Sequence, residues 1–276
     1  KEPVKLIALD LDRTTLKSDG HISKANRQAV EYAISKGIHV CIASGRAFDT
    51  LPSEVVTIPG IEYAITSNGA AVYKIKDKRC LNSYVLKESS VAGIIKNTAG
   101  YPVTYEAFIR GKAYASKEYI ADPVKFGATP KAIEYVRSTR TLQEDIVSFI
   151  YEHKHELDSI DIVLDDDELK NRIIKELYEK DPDIYITSSV KQLIEISYKD
   201  AGKKSGVRFL ADRLGIDRKN IAAFGDADND CDMIEFAGAG VAMGNACDAL
   251  KEAADYITLS NDDDGLAYAI YNILNI

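Results

Sequence analysis

The chain has 276 residues, of which 46% are hydrophobic and 28% charged, with a formal net charge of −8. That is enough apolar material for a core in one large domain or two modest ones. The acidic balance, with no basic block, argues against nucleic acid as a partner, and the longest apolar runs are strand-sized, too short to span a membrane. Lys1-Glu2-Pro3 leads directly into the first strand-like run, so no signal peptide is expected. Cys41, Cys80, Cys231 and Cys247 are scattered without a CxxC pair, which reads as reduced cytoplasmic thiols with neither a disulfide frame nor a zinc site.

The first run, 6–9, is continuously apolar and suits a strand buried on both faces. It ends in Asp10 and Asp12, separated by one leucine. Alternation would turn these acids to opposite sides unless the chain begins to coil there. Two acids beside a buried strand repel each other and lose hydration, and a cation is the natural compensation. Arg13 cannot supply it and still leave a coordination position open. A strand-end aspartate is also a common cap or turn former, so the decision rests on the rest of the chain. A helix follows, capped by Ser23 and closed by Gly37. A second buried run, 38–43, ends in Ser44-Gly45-Arg46, and a third, 63–66, ends in Ser67-Asn68-Gly69. This is the βαβ rhythm of a doubly wound, Rossmann-like parallel sheet, whose right-handed crossovers gather the strand ends along one edge.

From about residue 84 the texture changes. A helix is expected over 89–99, a hairpin around Arg110-Gly111, and a long amphipathic helix carrying Leu142, Ile146, Phe149, Ile150, His153 and Leu157 on one face. A strand over 160–164, a helix over 168–179 and strands over 184–187 and 193–197 follow. Mixed helices and paired strands imply an inserted α+β unit with its own antiparallel sheet. The expected division is a core of 1–83 and 191–276 with an α/β cap of 84–190. Asp165-Asp166-Asp167 reads as the acidic lead into a helix, and His153 and His155, two apart, cannot converge on a metal. The doubly wound rhythm then resumes. A helix over 203–214 precedes a strand over 221–224 that ends in Gly225-Asp226-Ala227-Asp228-Asn229-Asp230. A strand over 240–243, a helix over 248–253, a strand over 256–259 and a last helix from Gly265 complete the chain. No period of twenty to fifty residues repeats, so a solenoid is excluded.

Four polar clusters therefore sit at or beside strand ends: Asp10 with Asp12, Ser44, Lys203, and Asp226 to Asp230. They offer carboxylates for a hard cation, a hydroxyl donor and an ammonium. Oxygen donors with neither histidine nor cysteine suit Mg²⁺ and argue against zinc, copper or non-haem iron. No Gly-rich loop ending in Lys-Ser or Lys-Thr follows the first strand, so a nucleotide P-loop is absent.

These residues resemble the four motifs of the haloacid dehalogenase-type phosphohydrolases, and among them the Cof-type phosphatases with a large α/β cap. The matches are Asp10-Leu11-Asp12-Arg13-Thr14, Ala43-Ser44-Gly45-Arg46, Lys203, and Gly225 to Asp230 followed by Val241-Ala242-Met243-Gly244-Asn245-Ala246. Ser67-Asn68-Gly69-Ala70 and Asp264-Gly265 also fit. The resemblance covers essentially the whole chain, the cap by topology more than by residues. It implies a Mg²⁺-dependent phosphatase of small phosphorylated metabolites, such as sugar phosphates, working through an aspartyl-phosphate. Asp10 would be the nucleophile and Asp12 the general acid and base, while Ser44 and Lys203 stabilise the phosphoryl group. Mg²⁺ would be held by the Asp10 carboxylate, the Asp12 backbone carbonyl and Asp226, with Asp230 as ligand or in the surrounding shell. Thr14, Gly45, Arg46, Asn68 and Asn229 would line the substrate side. A monomer or weak homodimer without nucleic-acid or membrane partner is expected.

Two departures stand out. Arg13 occupies a place where the family usually has glycine, and an arginine forced to positive φ would cost about 1 kcal/mol. The usual Lys-Gly of the third motif is Lys203-Lys204 here; counting back from Leu210 and Gly215 to match the family's helix spacing, the resemblance implies Lys203. Arg13 also leaves open a catalytically weakened phosphosugar-binding protein. A phosphosugar mutase or phosphotransferase would share every core residue. A signalling receiver domain has a similar acid pair, Ser or Thr, and Lys, but neither the insertion nor the fourth cluster. A guanidinium lodged between Asp10 and Asp226, or an Asp226 out of reach of Asp10, would defeat the whole arrangement.

Overall fold

The apolar run at the start becomes β1 (Leu6–Leu9), each residue of it fully buried. The computed structural model describes residues 2–276. Beyond β1 the chain coils at once into a single π-type turn, Leu11–Thr15. α1 (Lys24–Ser35) follows, with the Ser23 side chain accepting the Asn26 N–H at its start. Then come β2 (His39–Ala43), the short α2 (Ser53–Val56), β3 (Ile61–Thr66), β4 (Ala71–Lys74) and β5 (Arg79–Ser83).

The insertion carries α3 (Glu88–Thr98), β6 (Thr104–Ile109), β7 (Lys112–Ser116), α4 (Lys117–Ala121), α5 (Ile133–Thr139), β8 (Arg140–Gln143), α6 (Ile146–Glu152), β9 (Ser159–Val163), α7 (Asp167–Lys180), β10 (Ile184–Thr187) and β11 (Leu193–Tyr198). The chain then gives α8 (Lys203–Leu214), β12 (Ile221–Gly225), α9 (Cys231–Phe236), β13 (Ala239–Ala242), α10 (Asp248–Ala253), β14 (Tyr256–Ile257) and α11 (Gly265–Tyr268). Two compact units result: residues 2–46, 51–82 and 202–276 form the first, residues 47–50 and 83–201 the second.

The first unit is the doubly wound α/β core. Its eight-stranded sheet runs β14-β13-β12-β1-β2-β3-β4-β5. β1 is parallel to β2 on one side and to β12 on the other. The strand order therefore reverses at β1, the switch point outside whose carboxyl end ligands bind in open sheets of this kind. β4 turns back antiparallel to β3 and, with β5, extends the sheet by two strands that the sequence reading missed. β4 is buried but only four residues long, and β5 is largely exposed, so neither gives a long apolar run.

The second unit has its own sheet, β10-β11-β9-β6-β7-β8, antiparallel except where β7 and β8 run parallel. Ile160, Ile162, Ile194 and Ile196 share an apolar cluster with residues of α3, α6 and α7. The expected boundary at 190/191 moves to 201/202. β11 pairs antiparallel with both β9 and β10, so it lies inside the second sheet and cannot belong to the core. The expected long helix carrying Leu142 to Leu157 is also corrected. Residues 140–143 pair with β7, and the helix starts only at Ile146, where Asp145 accepts the Ser148 N–H at 2.9 Å. Asp166 caps α7 through the Leu169 N–H, as expected for an acidic run before a helix. His153 pairs with Glu156 at 2.6 Å. No described helix is long and apolar enough to cross a membrane.

Candidate active site

All of the expected site residues lie in the first unit. The turn after β1 sets the geometry. The Asp10 N–H donates to Phe224 O of β12 at 3.1 Å, and the Asp10 carbonyl accepts the Thr15 hydroxyl at 2.6 Å. Asp12 keeps an extended backbone while Arg13 goes left-handed at φ 61°. This break in alternation separates the two acids. Asp10 is buried, whereas the Asp12 side chain is 56% exposed. Arg13, expected at a place where glycine is usual, does sit at positive φ. Asn245 secures it, donating its side-chain amide to the Arg13 carbonyl at 2.9 Å and accepting the Asn261 N–H at 2.8 Å.

β12 ends in the acidic loop. Asp230 folds back so that its Oδ2 accepts the N–H groups of Asp226 and Ala227, at 2.9 and 3.1 Å. Gly225 is required here, because a Cβ on it would lie 2.4 Å from the Asp230 Cβ. Lys203, the first residue of α8, reaches into the same space with no exposure. Its Nζ donates to Asp10 Oδ1 at 2.7 Å and to Asp230 Oδ1 at 2.6 Å. Lys204 is half-buried and gives only its backbone N–H, to Asp232 Oδ2 at 3.1 Å. Asp226 accepts the Thr14 hydroxyl on Oδ1 at 3.1 Å.

Ser44 is buried beyond β2, and its Oγ accepts the Arg46 N–H at 3.1 Å. Its carbonyl accepts the Asn68 N–H. Ser67, Asn68 and Gly69 all stand at positive φ, and a Cβ on Gly69 would lie 1.9 Å from Gly202 O. That close approach fixes the start of α8 against the loop, with the Gly202 N–H donating to Asn68 O at 2.9 Å. Asn68 Oδ1 accepts the Asn229 amide at 3.0 Å, so two residues expected on the substrate side hold each other. Arg46, also expected to face substrate, instead clasps Asp12 through two hydrogen bonds, Nε to Oδ2 and Nη2 to Oδ1.

The electrostatics follow from burial. Asp10, Asp226 and Asp230 bring carboxylate oxygens within 4.8 Å of one another. Burial, then the Asp230 and Asp226 charges, push the Asp10 carboxyl well above its usual range despite Lys203. Burial and Asp230 likewise push Asp226 to about 7, while Arg13 and Thr14 pull it down. Burial alone would depress Lys203, but the Asp10 and Asp230 charges outweigh it and hold the ammonium above its ordinary value. Three carboxyl groups face one buried ammonium, so ionising all of them would leave negative charge for a cation to offset. An all-oxygen donor set of this kind fits a hard cation such as Mg²⁺. Among the described residues no hydrogen-bond donor reaches Asp10 Oδ2, and Arg13 only approaches Asp226 Oδ2 from the exposed side, at 3.7 Å. The Asp12 carboxylate lies outside this group, held by Arg46.

Two residues gained no role from the sequence. Asn245 stood in a matched motif, but its grip on Arg13 spans 232 positions. Asp232, whose buried Oδ1 has no partner, is one acid on a short helix and makes no pattern.

Comparison with known proteins gives one consistent picture. Residues 7–270 match the family of haloacid dehalogenase-like hydrolases. The 5-amino-6-(5-phospho-D-ribitylamino)uracil phosphatase YcsE of Bacillus subtilis is 30% identical over 97% of this chain and 94% of its own length. Phosphatase YwpJ of the same organism is 31% identical, covering 98% of this chain and 100% of its own. A solved haloacid dehalogenase-like hydrolase from B. subtilis superposes with a TM-score of 0.84 at 27% identity, over 98% of this chain and 100% of that one.

Proposed function

This chain belongs to the haloacid dehalogenase-like hydrolases and is a phosphatase; from that premise we propose that it hydrolyses small phosphorylated metabolites, with Mg²⁺, through a phosphorylated Asp10. The observation that carries the proposal is Lys203 Nζ set between Asp10 and Asp230, with Asp226 in the same buried cluster. The residues fit Mg²⁺, which Asp10, Asp226 and the Asp12 carbonyl would hold, with Asp230 beside them. When bound, the ion would offset the charge of the phosphoryl oxygens.

The chain's own groups account for the bond changes. Asp10 attacks phosphorus, and the bond to the leaving oxygen breaks as the bond to Asp10 forms. Asp12 hands its proton to that oxygen, then takes one from the water that cleaves the Asp10–phosphorus bond and releases phosphate. Arg46 keeps the Asp12 carboxyl aimed while each of its oxygens retains a second lone pair. Lys203 and Ser44 donate to the charge that builds on phosphorus; removing one such preorganised donor typically costs about 2.7–4 kcal/mol of transition-state stabilisation. We assign the second unit the choice of leaving group, and the substrate class to hydroxyl-bearing phosphate monoesters. The ribityl phosphate named for one relative supports that class. That none of the four cysteines forms a disulfide supports a reducing, cytoplasmic setting.

One observation favours a weaker enzyme. The Arg13 guanidinium stands 3.7 Å from Asp226, on an oxygen that a cation would use. The test is turnover of an aryl phosphate with and without Mg²⁺, for the native chain and Asp10→Asn. Turnover that needs both the ion and the Asp10 carboxylate is expected. Substantial residual rate in Asp10→Asn would remove Asp10 as nucleophile, and no turnover under any metal would leave a phosphate-binding protein.

A further inference from the structure

α8 begins without a capping side chain of its own. The first N–H groups of a helix have no acceptor within it, and an ordinary start supplies one from a serine, threonine or aspartate at the cap position. Here that position is Gly202, at φ 108°. A residue with a Cβ rarely adopts this backbone, so the acceptor has to come from elsewhere in the fold.

Asp232 of α9 provides it, its Oδ2 accepting the Lys204 N–H at 3.1 Å. Val207 and Leu210 of α8 share an apolar cluster with Met233 and Ile234 of α9, so the two helices pack together just beyond this bond. Two adjacent residues of α8 thus hold the start of α9, Lys203 through Nζ on Asp230 Oδ1 and Lys204 through its backbone. The two bonds do different things. Lys203 Nζ ends a flexible four-carbon stem, whereas the Lys204 N–H belongs to the peptide joining it to Lys203 and fixes where that stem is rooted. Asp232 is poorly suited to a purely stabilising role. Its Oδ1 is buried with no partner among the described residues, an arrangement that costs free energy.

We propose that Asp232 is a positioning residue for phosphoryl transfer, acting through the Lys204 N–H to set the Lys203 ammonium. The inference rests on the phosphatase reading above, in which Lys203 stabilises the charge on the phosphoryl group. An ammonium has three donors. Two are committed, to Asp10 Oδ1 at 2.7 Å and Asp230 Oδ1 at 2.6 Å, which leaves one for a phosphoryl oxygen. The direction of that third N–H follows the placement of the stem's root, and a shift of about 1 Å at such a group can cost about a hundredfold in rate. Asp232 is no part of the carboxylate cluster itself, so its effect passes through Lys203.

The test measures kcat and KM for p-nitrophenyl phosphate with Mg²⁺ supplied. Asp232→Ala, which loses the acceptor, should lower kcat about tenfold or more with KM held within about twofold. Asp232→Asn keeps an amide oxygen for the Lys204 N–H and should stay within about threefold of the native kcat. In a Lys203→Met background, Asp232→Ala should lower kcat by less than about twofold, because the group it sets is gone. Asp232→Ser, whose hydroxyl sits one bond nearer the backbone and stops short of the Lys204 N–H, replaces Asp232→Ala if that variant folds poorly. A native kcat in Asp232→Ala overturns the positioning role. So does an Asp232→Asn as slow as Asp232→Ala, or a tenfold fall that persists without Lys203. Each of these leaves the phosphatase reading standing, whereas a native chain without turnover overturns both.

Discussion

Arg46 grips Asp12 by two near-parallel hydrogen bonds, Nε to Oδ2 at 2.8 Å and Nη2 to Oδ1 at 2.6 Å, across 34 positions of sequence. Arg46 is mostly buried and Asp12 mostly exposed, so the pair adds little to stability, about 1 kcal/mol or less. Its consequence is orientation, because a fork of two donors fixes the carboxylate plane as a single ammonium cannot. Arg46→Lys should therefore lower kcat roughly tenfold or more with little change in melting temperature. The loss should be larger for alkyl than for aryl phosphates, since a good leaving group needs less help from the Asp12 proton. Equal losses on both ester types would mean that Arg46 acts on something other than Asp12.

Arg13 makes the second prediction. It holds φ 61° in the turn between Asp12 and Thr14, a conformation costing about 1 kcal/mol or more for a residue with a Cβ. Arg13→Gly relieves that strain and removes the guanidinium from Asp226 Oδ2. Stability should hold or rise by roughly 1 kcal/mol, and the rate at limiting Mg²⁺ should hold or rise. A collapse of kcat would make Arg13 a working residue.

How far the sequence revealed this follows from where each residue sits. Asp10 and Asp226 directly follow β1 and β12, where an apolar run breaks off in a polar residue, and Lys203 begins α8. The βαβ rhythm then brings their strand ends together. Contacts made through register or through two loops left no such mark. Arg46 and Asp12 both lie beyond their strands, where nothing in the spacing says that they meet. Glu106, Asp161 and Glu195, on β6, β9 and β11, align only once three strands are paired, and each alone reads as the polar half of an alternating strand. The boundary failed at β11 for a related reason. A six-residue alternating strand looks alike in either sheet, and only its pairing with β9 and β10 assigns it.

Metal binding should release protons. With the Asp10 carboxyl raised and Asp226 near 7, the cluster holds protons that a divalent ion must displace. Mg²⁺ affinity should rise as pH passes through about 7, where Asp226 titrates. Calorimetry in buffers of different ionisation enthalpy should show the released protons. At a hundredfold excess over Kd the ion should stabilise the fold by about 2.7 kcal/mol. In Asp226→Asn that stabilisation should be largely lost; a full thermal shift in this variant would place the ion elsewhere.

Asp158 links pH to the stability of the second unit. Its N–H donates to Phe108 O at 2.8 Å, which draws the side chain inside, where Oδ2 is buried with no partner. Burial pushes its carboxyl to about 7, against the opposing pull of the Gly111 and Arg110 amides. An unfolded aspartate titrates near 3.9. Between about pH 4 and pH 7 the folded chain thus keeps a proton that the unfolded chain has released. Stability then falls as pH rises, by up to about 1.4 kcal/mol per pH unit, and the loss is complete above pH 7. Asp158→Asn has no proton to lose and should lack this slope. Urea unfolding of both proteins from pH 4 to pH 8 should show the variant gaining on the native chain by a few kcal/mol as pH rises. Parallel stability curves would show that Asp158 is ionised in the folded chain and that its surroundings provide a partner for the charge.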